Sequence, residues 1–449
     1  MNLHRLLSER AKNSNPVRTG LIGCGKFGTM FLTQALQTPG IHVVGIADLD
    51  VARARANLVA AGWDAARYGA TSLINAFQSG ATHVGDDAPS LIGFEQLDVV
   101  IEATGIPGAG IRHCRLAIDA GHHVIMVSVE ADVVAGPLLA REAAAAGVVY
   151  SLAWGDQPAL VCEHVDWARA CGLEVVCAGK GTRYHPDYHQ LTPDTVWGVL
   201  REYLDIEDPA SINLKMFNSF LDGSKSGIEM TAVCNATGLT PQTGGLRFPP
   251  ASQFDLAETC KPSTDGGQLD CCGTTEVVSS LNRDGSAVPH HLAMGTYVVV
   301  TSHTDYARRC MGEYHMLTDT SGRYGGLYRP THMIGLELGI SVASVALRGE
   351  PTGTPVGFHA DVVATAKRSL KAGVTLDGEG GACVWGRQLS AAKSLELGAL
   401  PLGLTGDVQL KRDVDQGDLL TWQDVSLDET NEAVKARRQM ESMFGKAIH

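Results

Sequence analysis

A chain of 449 residues with 44% hydrophobic content can bury several cores, and at roughly 100–200 residues per domain we expect two to four domains. The formal net charge of -13, with lysines and arginines that do not cluster, excludes the basic surface of a nonspecific nucleic-acid-binding protein. The first residues lack the apolar core of a signal peptide, and no run approaches the ~18 apolar residues of a membrane span, so we expect a cytoplasmic protein without membrane contact. The eleven cysteines show no Cys-x-x-Cys spacing, so we expect reduced thiols.

Residues 17–151 alternate short apolar runs with segments of helix length. The runs that we predict as strands are VRTGLIG, HVVGIAD, LDVVIEATG, HHVIMVS and GVVYSLA. This alternation is typical of parallel strands joined by helical crossovers, and the nearly continuous apolar character of the middle runs indicates strands covered on both faces. We therefore predict an α/β domain with a doubly wound parallel sheet, over residues 1–156, that binds a nucleotide.

Changes in composition predict two further domains. Residues 157–348 are richer in Asn, Thr, Pro, Gly and aromatic residues and are assigned to a substrate domain, with loops or short strands over 240–290, a strand in MGTYVVVTS and a buried helix in HMIGLELGISVASVALRG. Residues 349–449 show short strands separated by Gly and Pro turns, which indicates a small, mainly β module that ends in a charged amphipathic helix.

The segment TGLIGCGKFGTMFL carries a Gly-x-Gly-x-x-Gly pattern. The pattern alone is weak because glycine is abundant, but here it follows an apolar run, opens a helix and precedes a second strand that ends in Asp48. Gly23 would allow a tight turn, Gly25 would leave room for a diphosphate, and Gly28 would let helix and strand pack closely; the alternative is a purely structural turn. The loop residues predicted to bind a dinucleotide are Gly23, Gly25, Lys26, Phe27 and Gly28.

The ends of later strands supply further candidate cofactor contacts. Asp48 is placed to accept a hydrogen bond from a ribose hydroxyl, which would favour NAD, while Arg53 in DLDVARARA offers a counter-charge to the 2′-phosphate of NADP, so both cofactors stay open. The stretches EATGIP and VSVEAD follow two predicted strands, where the ribose and nicotinamide of the cofactor should lie. The alternatives are that EATGIP is an ordinary strand-to-helix turn and that the glutamate of VSVEAD is an ordinary carboxylate at the start of a helix. The residues singled out there are Ala103, Thr104, Gly105 and Glu130.

Two lysines are candidates for polarising a carbonyl group or moving a proton. Lys180 ends the strand-like run LEVVCAGK, so we expect its ammonium group at a strand terminus, with Arg183 three residues later. Lys225 lies in DGSKSGIEM, a Ser/Gly-rich turn before a helix, and is flanked by Asp222 and Glu229. These two lysines and two carboxylates are the predicted catalytic residues.

The stretch NSFLDGSKS places hydroxyl, amide and ammonium donors at a predicted helix N-terminus, which favours binding of a small anionic substrate. Helix capping by an aspartate or serine would explain part of this pattern, but it would not explain Lys225, because a positive charge is unfavourable at that end of a helix. The predicted substrate-binding residues are Arg183, Asn218, Ser219, Ser224 and Ser226.

Taken together, the motifs resemble those of the homoserine dehydrogenase-like oxidoreductases that end in a SAF-type domain, and among these the group similar to 1-deoxy-D-xylulose 5-phosphate reductoisomerase. The likeness runs along nearly the whole chain. The stretches that carry it are GLIGCGKFG, EATG, VSVEAD, GDQPAL, CAGKGTRYHP, KMFNSFLDGSKSGIEMTAVCNATGL, RPTHMIGLELGISVASVALRGEPTG, LKAGVTLDGEGG and LPLGL.

The resemblance implies a Rossmann-type domain, a central α+β catalytic and dimerisation domain, a C-terminal SAF-like domain and a homodimer. It also implies an NAD(P)-dependent oxidoreductase that uses NADPH to convert 1-deoxy-D-xylulose 5-phosphate to 2-C-methyl-D-erythritol 4-phosphate, an isoprenoid precursor. A divalent metal, Mg or Mn, would then be held by carboxylates such as Glu130, Asp222 or Glu229. The residues themselves leave two alternatives open, a dehydrogenase of another small hydroxy or keto substrate and a non-catalytic nucleotide- or sugar-sensing protein.

Overall fold

The computed structural model describes residues 2–205 and 212–448. Its strands, in chain order, are β1 (Val17–Ile22), β2 (Ile41–Ala47), β3 (His83–Gly85), β4 (Val99–Glu102), β5 (His123–Met126), β6 (Tyr150–Leu152), β7 (Glu174–Thr182), β8 (Thr274–Ser279), β9 (Thr296–Thr301), β10 (Leu317–Thr318), β11 (Tyr324–Arg329), β12 (Ala360–Ala366), β13 (Thr375–Asp377), β14 (Val384–Ser390), β15 (Gly406–Leu410) and β16 (Val425–Ser426).

The α-helices of the same residues are α1 (Leu3–Lys12), α2 (Lys26–Ala35), α3 (Val51–Ala60), α4 (Leu73–Ser79), α5 (Ala88–Ile92), α6 (Pro107–Asp119), α7 (Val129–Ala145), α8 (Gln157–Ala170), α9 (Val196–Leu200), α10 (Leu214–Leu221), α11 (Ser224–Thr237), α12 (Leu256–Thr259), α13 (Asp305–Glu313), α14 (Gly339–Arg348), α15 (Ala391–Leu397) and α16 (Glu432–Ile448). Within these described residues, no helix is both long and apolar enough to cross a membrane.

The chain divides into two compact units, each built from separated segments. The first unit comprises Met1–Leu160, Met333–Pro355 and Asn431–Met440, and the second comprises Val161–His332, Val356–Thr430 and Glu441–His449. The predicted boundaries at residues 156 and 348 follow the chain in order and therefore differ from this division.

The first unit contains a six-stranded sheet with the order β3-β2-β1-β4-β5-β6, in which all paired strands are parallel. All four residues of β4 are buried, because helices cover both faces of such a sheet. The predicted Rossmann-type doubly wound sheet is therefore confirmed, and all five predicted strands are present. The sequence did not predict β3, which is only three residues long.

The buried helix predicted near residue 340 is α14, but it belongs to the first unit and not to the predicted substrate domain. Leu338, Val342 and Val345 lie in one hydrophobic core with Leu3 and Leu7 of α1. This burial of its apolar face explains why a segment so distant in sequence completes the nucleotide-binding unit.

The second unit is built on a mixed sheet with the order β10-β11-β9-β7-β8. Strand β7 runs parallel to β8 and antiparallel to β9. In one core, Met230 and Val233 of α11 pack with Val298 of β9, and a second core joins the sheet to α12 through Leu256 and Tyr297. The predicted α+β architecture of this part of the chain is therefore confirmed.

The small β strands predicted near the C-terminus form two further sheets, β12-β14 and β13-β15-β16. We call residues 356–430 the C-terminal module; they lie in the second unit, where α11 packs closely on β12 and β14. The close approach is clearest at Gly227, where a Cβ atom would lie 3.0 Å from the carbonyl oxygen of Gly386. The predicted final helix is α16.

Candidate cofactor and active sites

The glycine loop after β1 excludes side chains at two of its three glycines. Gly23 has φ +91°, and a Cβ atom there would lie 2.6 Å from the carbonyl oxygen of Ala103. At Gly28 a Cβ atom would lie 2.6 Å from the carbonyl oxygen of Gly23. The tight turn and the close helix-strand packing expected of a dinucleotide loop are therefore both present.

Gly25 differs from its neighbours because a Cβ atom there would meet no described atom within 4 Å. It is the N-cap residue of α2, and as a glycine it has no side chain to accept from the first N–H groups of the helix. The first N–H groups of α2, starting with Lys26 and Phe27, have no acceptor within the helix. Open space beside backbone donors at a helix N-terminus suits a diphosphate, so the residues present fit a nicotinamide dinucleotide.

Asp48 follows β2 directly and is 8% exposed. Its Oδ2 accepts a hydrogen bond from the N–H of Cys24 at 2.7 Å, and its Oδ1 accepts from the N–H of Asp50 at 2.9 Å and from the Arg53 guanidinium at 3.0 Å. The carboxylate thus braces the glycine loop, which the sequence did not reveal. It retains about one of its four acceptor directions for a ribose hydroxyl.

The loops after β4 and β5 carry the remaining predicted cofactor residues. The Thr104 hydroxyl donates to Glu102 at 2.5 Å, and Gly105, at φ +70°, donates from its N–H to the Ser128 hydroxyl at 2.8 Å. Glu130 is half-buried in the first turn of α7. Contact of these residues with a nicotinamide ring stays a prediction.

Lys180 lies inside β7 and not at its end, so this part of the prediction is wrong: the strand continues to Thr182. The Lys180 side chain is 4% exposed, and its ammonium group donates a hydrogen bond to Glu229 of α11, whose side chain is 3% exposed. The structure therefore joins two predicted catalytic residues that are 49 positions apart. Because water is nearly excluded from this ion pair, the attraction between its charges is stronger than at the surface.

Two predicted substrate-binding residues, close in sequence to this ion pair, carry buried polar atoms without a hydrogen-bond partner among the described residues. They are the Ser226 hydroxyl, one helical turn before Glu229, and Nε of Arg183. The other end of the Arg183 guanidinium lies 3.6 Å from the Glu202 carboxylate. Because buried polar groups are nearly always hydrogen-bonded, an unpaired hydroxyl and an unpaired N–H indicate groups that ligand oxygens would satisfy.

Asp222 pairs with Lys367 of the C-terminal module, a residue that the sequence did not bring to attention. The Lys367 ammonium group donates to Asp222 Oδ2 at 2.7 Å and to the carbonyl oxygens of Leu191 and Gly381 at 2.6 and 2.7 Å. The other oxygen of Asp222 accepts from the N–H of Ser224 at 2.8 Å, so this carboxylate contributes to capping α11. Burial raises the pKa of Asp222 despite its cationic partner.

Three other predicted substrate-binding side chains bind the C-terminal module. The Asn218 amide donates to the carbonyl oxygen of Gly380 at 2.8 Å, and Ser219 donates to the Glu379 carboxylate at 2.5 Å. The Ser224 hydroxyl accepts from the N–H of Gly386 at 2.9 Å. The corner between α10 and α11 is therefore held by the module. Lys225, predicted to precede the helix, is half-buried in the first turn of α11.

The structure offers no ligand set, within the residues it describes, for the divalent metal that the resemblance implies. Asp222 and Glu229 are each paired with a different lysine. Within residues 2–205 and 212–448, no group of three His, Cys, Asp or Glu side chains is arranged to hold a metal ion. The residues present do not fit a resident metal, and we assign no reaction step to one.

Residues 155–338 match the family model described as Oxidoreductase DRL, catalytic domain. The match includes the mixed sheet of the second unit, Lys180 and the whole of α11, but it spans less than half of the chain and ends before the C-terminal module. A SAF-type identity for that module therefore stays a prediction. The comparison with curated proteins finds no match.

Solved structures with a similar fold include scyllo-inositol dehydrogenase from Lactobacillus casei, which has 12% sequence identity, covers 76% of this chain and 92% of its own, and has a TM-score of 0.37. Amine dehydrogenase from Mycobacterium smegmatis has 11% identity, covers 76% of this chain and 94% of its own, and has a TM-score of 0.38. Likeness at this level assigns no substrate. The catalytic-domain match, together with the Rossmann-type sheet, confirms the prediction of an NAD(P)-dependent oxidoreductase.

Proposed function

We propose that this oxidoreductase uses NADPH to reduce a small phosphorylated keto-sugar, and that it acts as a reductoisomerase on 1-deoxy-D-xylulose 5-phosphate to form 2-C-methyl-D-erythritol 4-phosphate. The observation that carries the proposal is the buried pair of Lys180 and Glu229 in the matched catalytic domain. Two buried polar groups that lack partners among the described residues belong to Arg183 and Ser226, each three positions from a member of the pair. Such a site is suited to a substrate that is both oxygen-rich and anionic.

In this proposal the carbon skeleton rearranges first: the C3–C4 bond of the substrate breaks, a C2–C4 bond forms, the C2 ketone oxygen takes up a proton and the C3 hydroxyl loses one to become an aldehyde. Lys180 then acts on the carbonyl group of that aldehyde, which is the group that the hydride reduces. Its ammonium group donates a hydrogen bond to the carbonyl oxygen and then a proton to the alkoxide that forms, while Glu229 fixes its position. The bound nicotinamide would supply the hydride. The Ser226 hydroxyl would bind a substrate hydroxyl, and the Arg183 guanidinium, with Lys225, would bind the phosphate.

NADPH is proposed over NADH because of the pair formed by Asp48 and Arg53. The carboxylate already accepts three hydrogen bonds, and the Arg53 side chain beside it is 58% exposed. An exposed guanidinium can turn toward the 2′-phosphate of NADP, whereas the largely occupied carboxylate has little capacity left for the ribose of NAD. A homodimer and a cytoplasmic location are also proposed, on the resemblance and the composition respectively.

The test is oxidation of NADPH by the purified protein with 1-deoxy-D-xylulose 5-phosphate, without metal and with Mg or Mn, with the product identified by NMR. Lys180→Met should lower kcat by a factor on the order of 100 or more, because it removes the proton donor. Glu229→Gln and Ser226→Ala should show smaller losses, and Lys393→Met should not change kcat, because the Lys393 side chain on α15 is 48% exposed.

Two results would contradict the proposed reaction, and a third would contradict the proposed role of Lys180. Oxidation of NADPH by other keto substrates but by none of the phosphorylated keto-sugars would indicate a plain dehydrogenase. Binding of NADPH without turnover of any substrate would indicate a sensing protein. A Lys180→Met variant with wild-type kcat would remove the catalytic role of the lysine even if the substrate is right.

A further inference from the structure

The last residue of β4, Glu102, is a fully buried carboxylate that begins the EATGIP stretch but was not among the predicted site residues. Its Oε1 accepts from the Thr104 hydroxyl at 2.5 Å and from the Thr104 N–H at 3.3 Å, and its Oε2 accepts from the Ser128 hydroxyl. Nδ1 of His113 lies 3.4 Å from Oε1. One carboxylate therefore binds the loop that follows β4 and the loop that follows β5.

The hydrogen bonds continue beyond the carboxylate into the backbone. Ser128 donates its hydroxyl proton to Glu102 and accepts from the N–H of Gly105 at 2.8 Å. The Thr104 hydroxyl accepts from the N–H of Ile106 at 3.3 Å. Gly105 has φ +70°, and a Cβ atom there would meet no described atom within 4 Å, so the loop borders open space.

The sheet order places these two loops in the nicotinamide half of the fold. The order β3-β2-β1-β4-β5-β6 reverses between β1 and β4, and a dinucleotide lies across that reversal at the carboxyl ends of the strands. The glycine loop and Asp48 belong to the half formed by β1 to β3. The loops after β4 and β5 belong to the other half, which binds the second nucleotide.

We propose that Glu102 is a positioning residue for the nicotinamide half of the cofactor. It acts through Thr104 and Ser128, whose hydroxyls it orients, and it thereby sets the backbone at Gly105 and at the start of α7. This inference rests on the nicotinamide-dependent class of the enzyme and is independent of the substrate proposed above.

A carboxylate is required here because the hydroxyl and N–H groups that face it are donors. A glutamine would keep one acceptor oxygen for Thr104 but would present an NH₂ group to Ser128. The Ser128 hydroxyl proton would then lose its acceptor in a buried site, and the serine would rotate away from Gly105. Glu102→Gln, of nearly the same size, is therefore the decisive variant.

The experiment measures binding of NADPH and NADH, and of the fragments adenosine 2′,5′-bisphosphate and ADP, which lack the nicotinamide half. Glu102→Gln should weaken binding of the preferred dinucleotide by about tenfold and change fragment binding less than about twofold. Ser128→Ala, which keeps the carboxylate, should weaken binding of the dinucleotide about threefold and again change fragment binding less. This variant tests the proposal if Glu102→Gln does not fold. The control Glu142→Gln removes another carboxylate of the first unit, bonded to Arg115, and should change neither binding constant.

Equal weakening of dinucleotide and fragment would overturn the proposal, because it would show a general effect on the fold of the unit. Unchanged binding of both ligands would also overturn it. If the wild type binds no dinucleotide, this inference and the proposed function fall together; if it binds NADPH but turns over no phosphorylated keto-sugar, only the proposed function falls.

Discussion

Replacing Lys367 with methionine should strongly destabilise the second unit. The Lys367 side chain is 2% exposed and its partner Asp222 is fully buried, so the substitution leaves a carboxylate without its counter-ion in a site that water does not reach. The carbonyl oxygens of Leu191 and Gly381 lose their donor at the same time. Breaking a buried ion pair by removing one partner costs about 3–5 kcal/mol, and we expect a loss of that size in the free energy of unfolding.

The double variant Asp222→Asn with Lys367→Met should be less destabilised than the sum of the two single variants, because no unpaired charge is then buried. The new amide would also retain an acceptor oxygen for the N–H of Ser224. The control is Lys371→Met, which breaks an exposed pair with Asp413 in the same module and should leave stability unchanged.

Urea unfolding followed by tryptophan fluorescence measures these differences, since Trp385 lies on β14 of the same module. Limited proteolysis at the corner between α10 and α11 provides a second readout, because this corner should open when the lysine is lost. Strictly additive effects of the two substitutions, or a loss below about 1 kcal/mol for Lys367→Met, would refute the assignment of Lys367 as the ion-pair partner that holds this corner.

Three further predictions concern the first unit. Burial raises the pKa of Asp132 from 3.8 to about 7, so between these pH values unfolding releases a proton, and the free energy of unfolding falls by up to about 4 kcal/mol as pH rises from about 4 to 7. Asp132→Asn should therefore make the melting temperature depend less on pH over this range. A pH dependence equal to that of the wild type would contradict this prediction. Gly25→Ala should weaken NADPH binding about tenfold at unchanged melting temperature, whereas Gly28→Ala should lower both the affinity for NADPH and the melting temperature. Titration calorimetry measures the affinity and thermal melts measure the stability. Wild-type affinity of the Gly25→Ala variant would exclude a diphosphate beside Gly25. Arg53→Ala should raise the Kd of NADPH about tenfold and spare NADH, whereas equal losses would indicate that Arg53 serves only to brace Asp48.

Five of the six strands of the first unit could be predicted because each is a short apolar run between turn residues, whereas β3 is too short to give such a run. The glycine loop showed in addition that the first strand leads into a helix. The location of α14 has no comparable signal. Its apolar face is visible, but the partner of that face, α1, lies more than 300 residues earlier, and sequence periodicity does not say which core a helix joins.

The sequence led us to select several of the buried charged residues of the candidate site, but it did not show which of them form ion pairs with one another. Lys180 and Glu229 were both selected, yet their pairing depends on α11 crossing β7, which local patterns do not show. Asp222 was selected for its neighbour Lys225 in the chain, whereas its ionic partner is Lys367, 145 positions away. Glu102 was overlooked because a glutamate in the run VVIEATG reads as the end of a strand, and nothing local shows that it is buried.

The partners of Lys180 and Lys367 decide which of these two buried lysines is suited to proton transfer. Lys367 donates all three of its ammonium protons to protein oxygens, and two of these acceptors are backbone carbonyls that hold loops. Giving up one of those protons would release a loop, so Lys367 is a structural cation even though its partner Asp222 had been predicted to be catalytic. Lys180 lies on β7 and donates to Glu229 of α11, and the preceding turn of that helix carries the Ser226 hydroxyl, which has no partner among the described residues. A substrate oxygen that accepts from the Lys180 ammonium group and from the Ser226 hydroxyl would supply the partner that this hydroxyl lacks among the described residues, which is why we place the reacting carbonyl at Lys180.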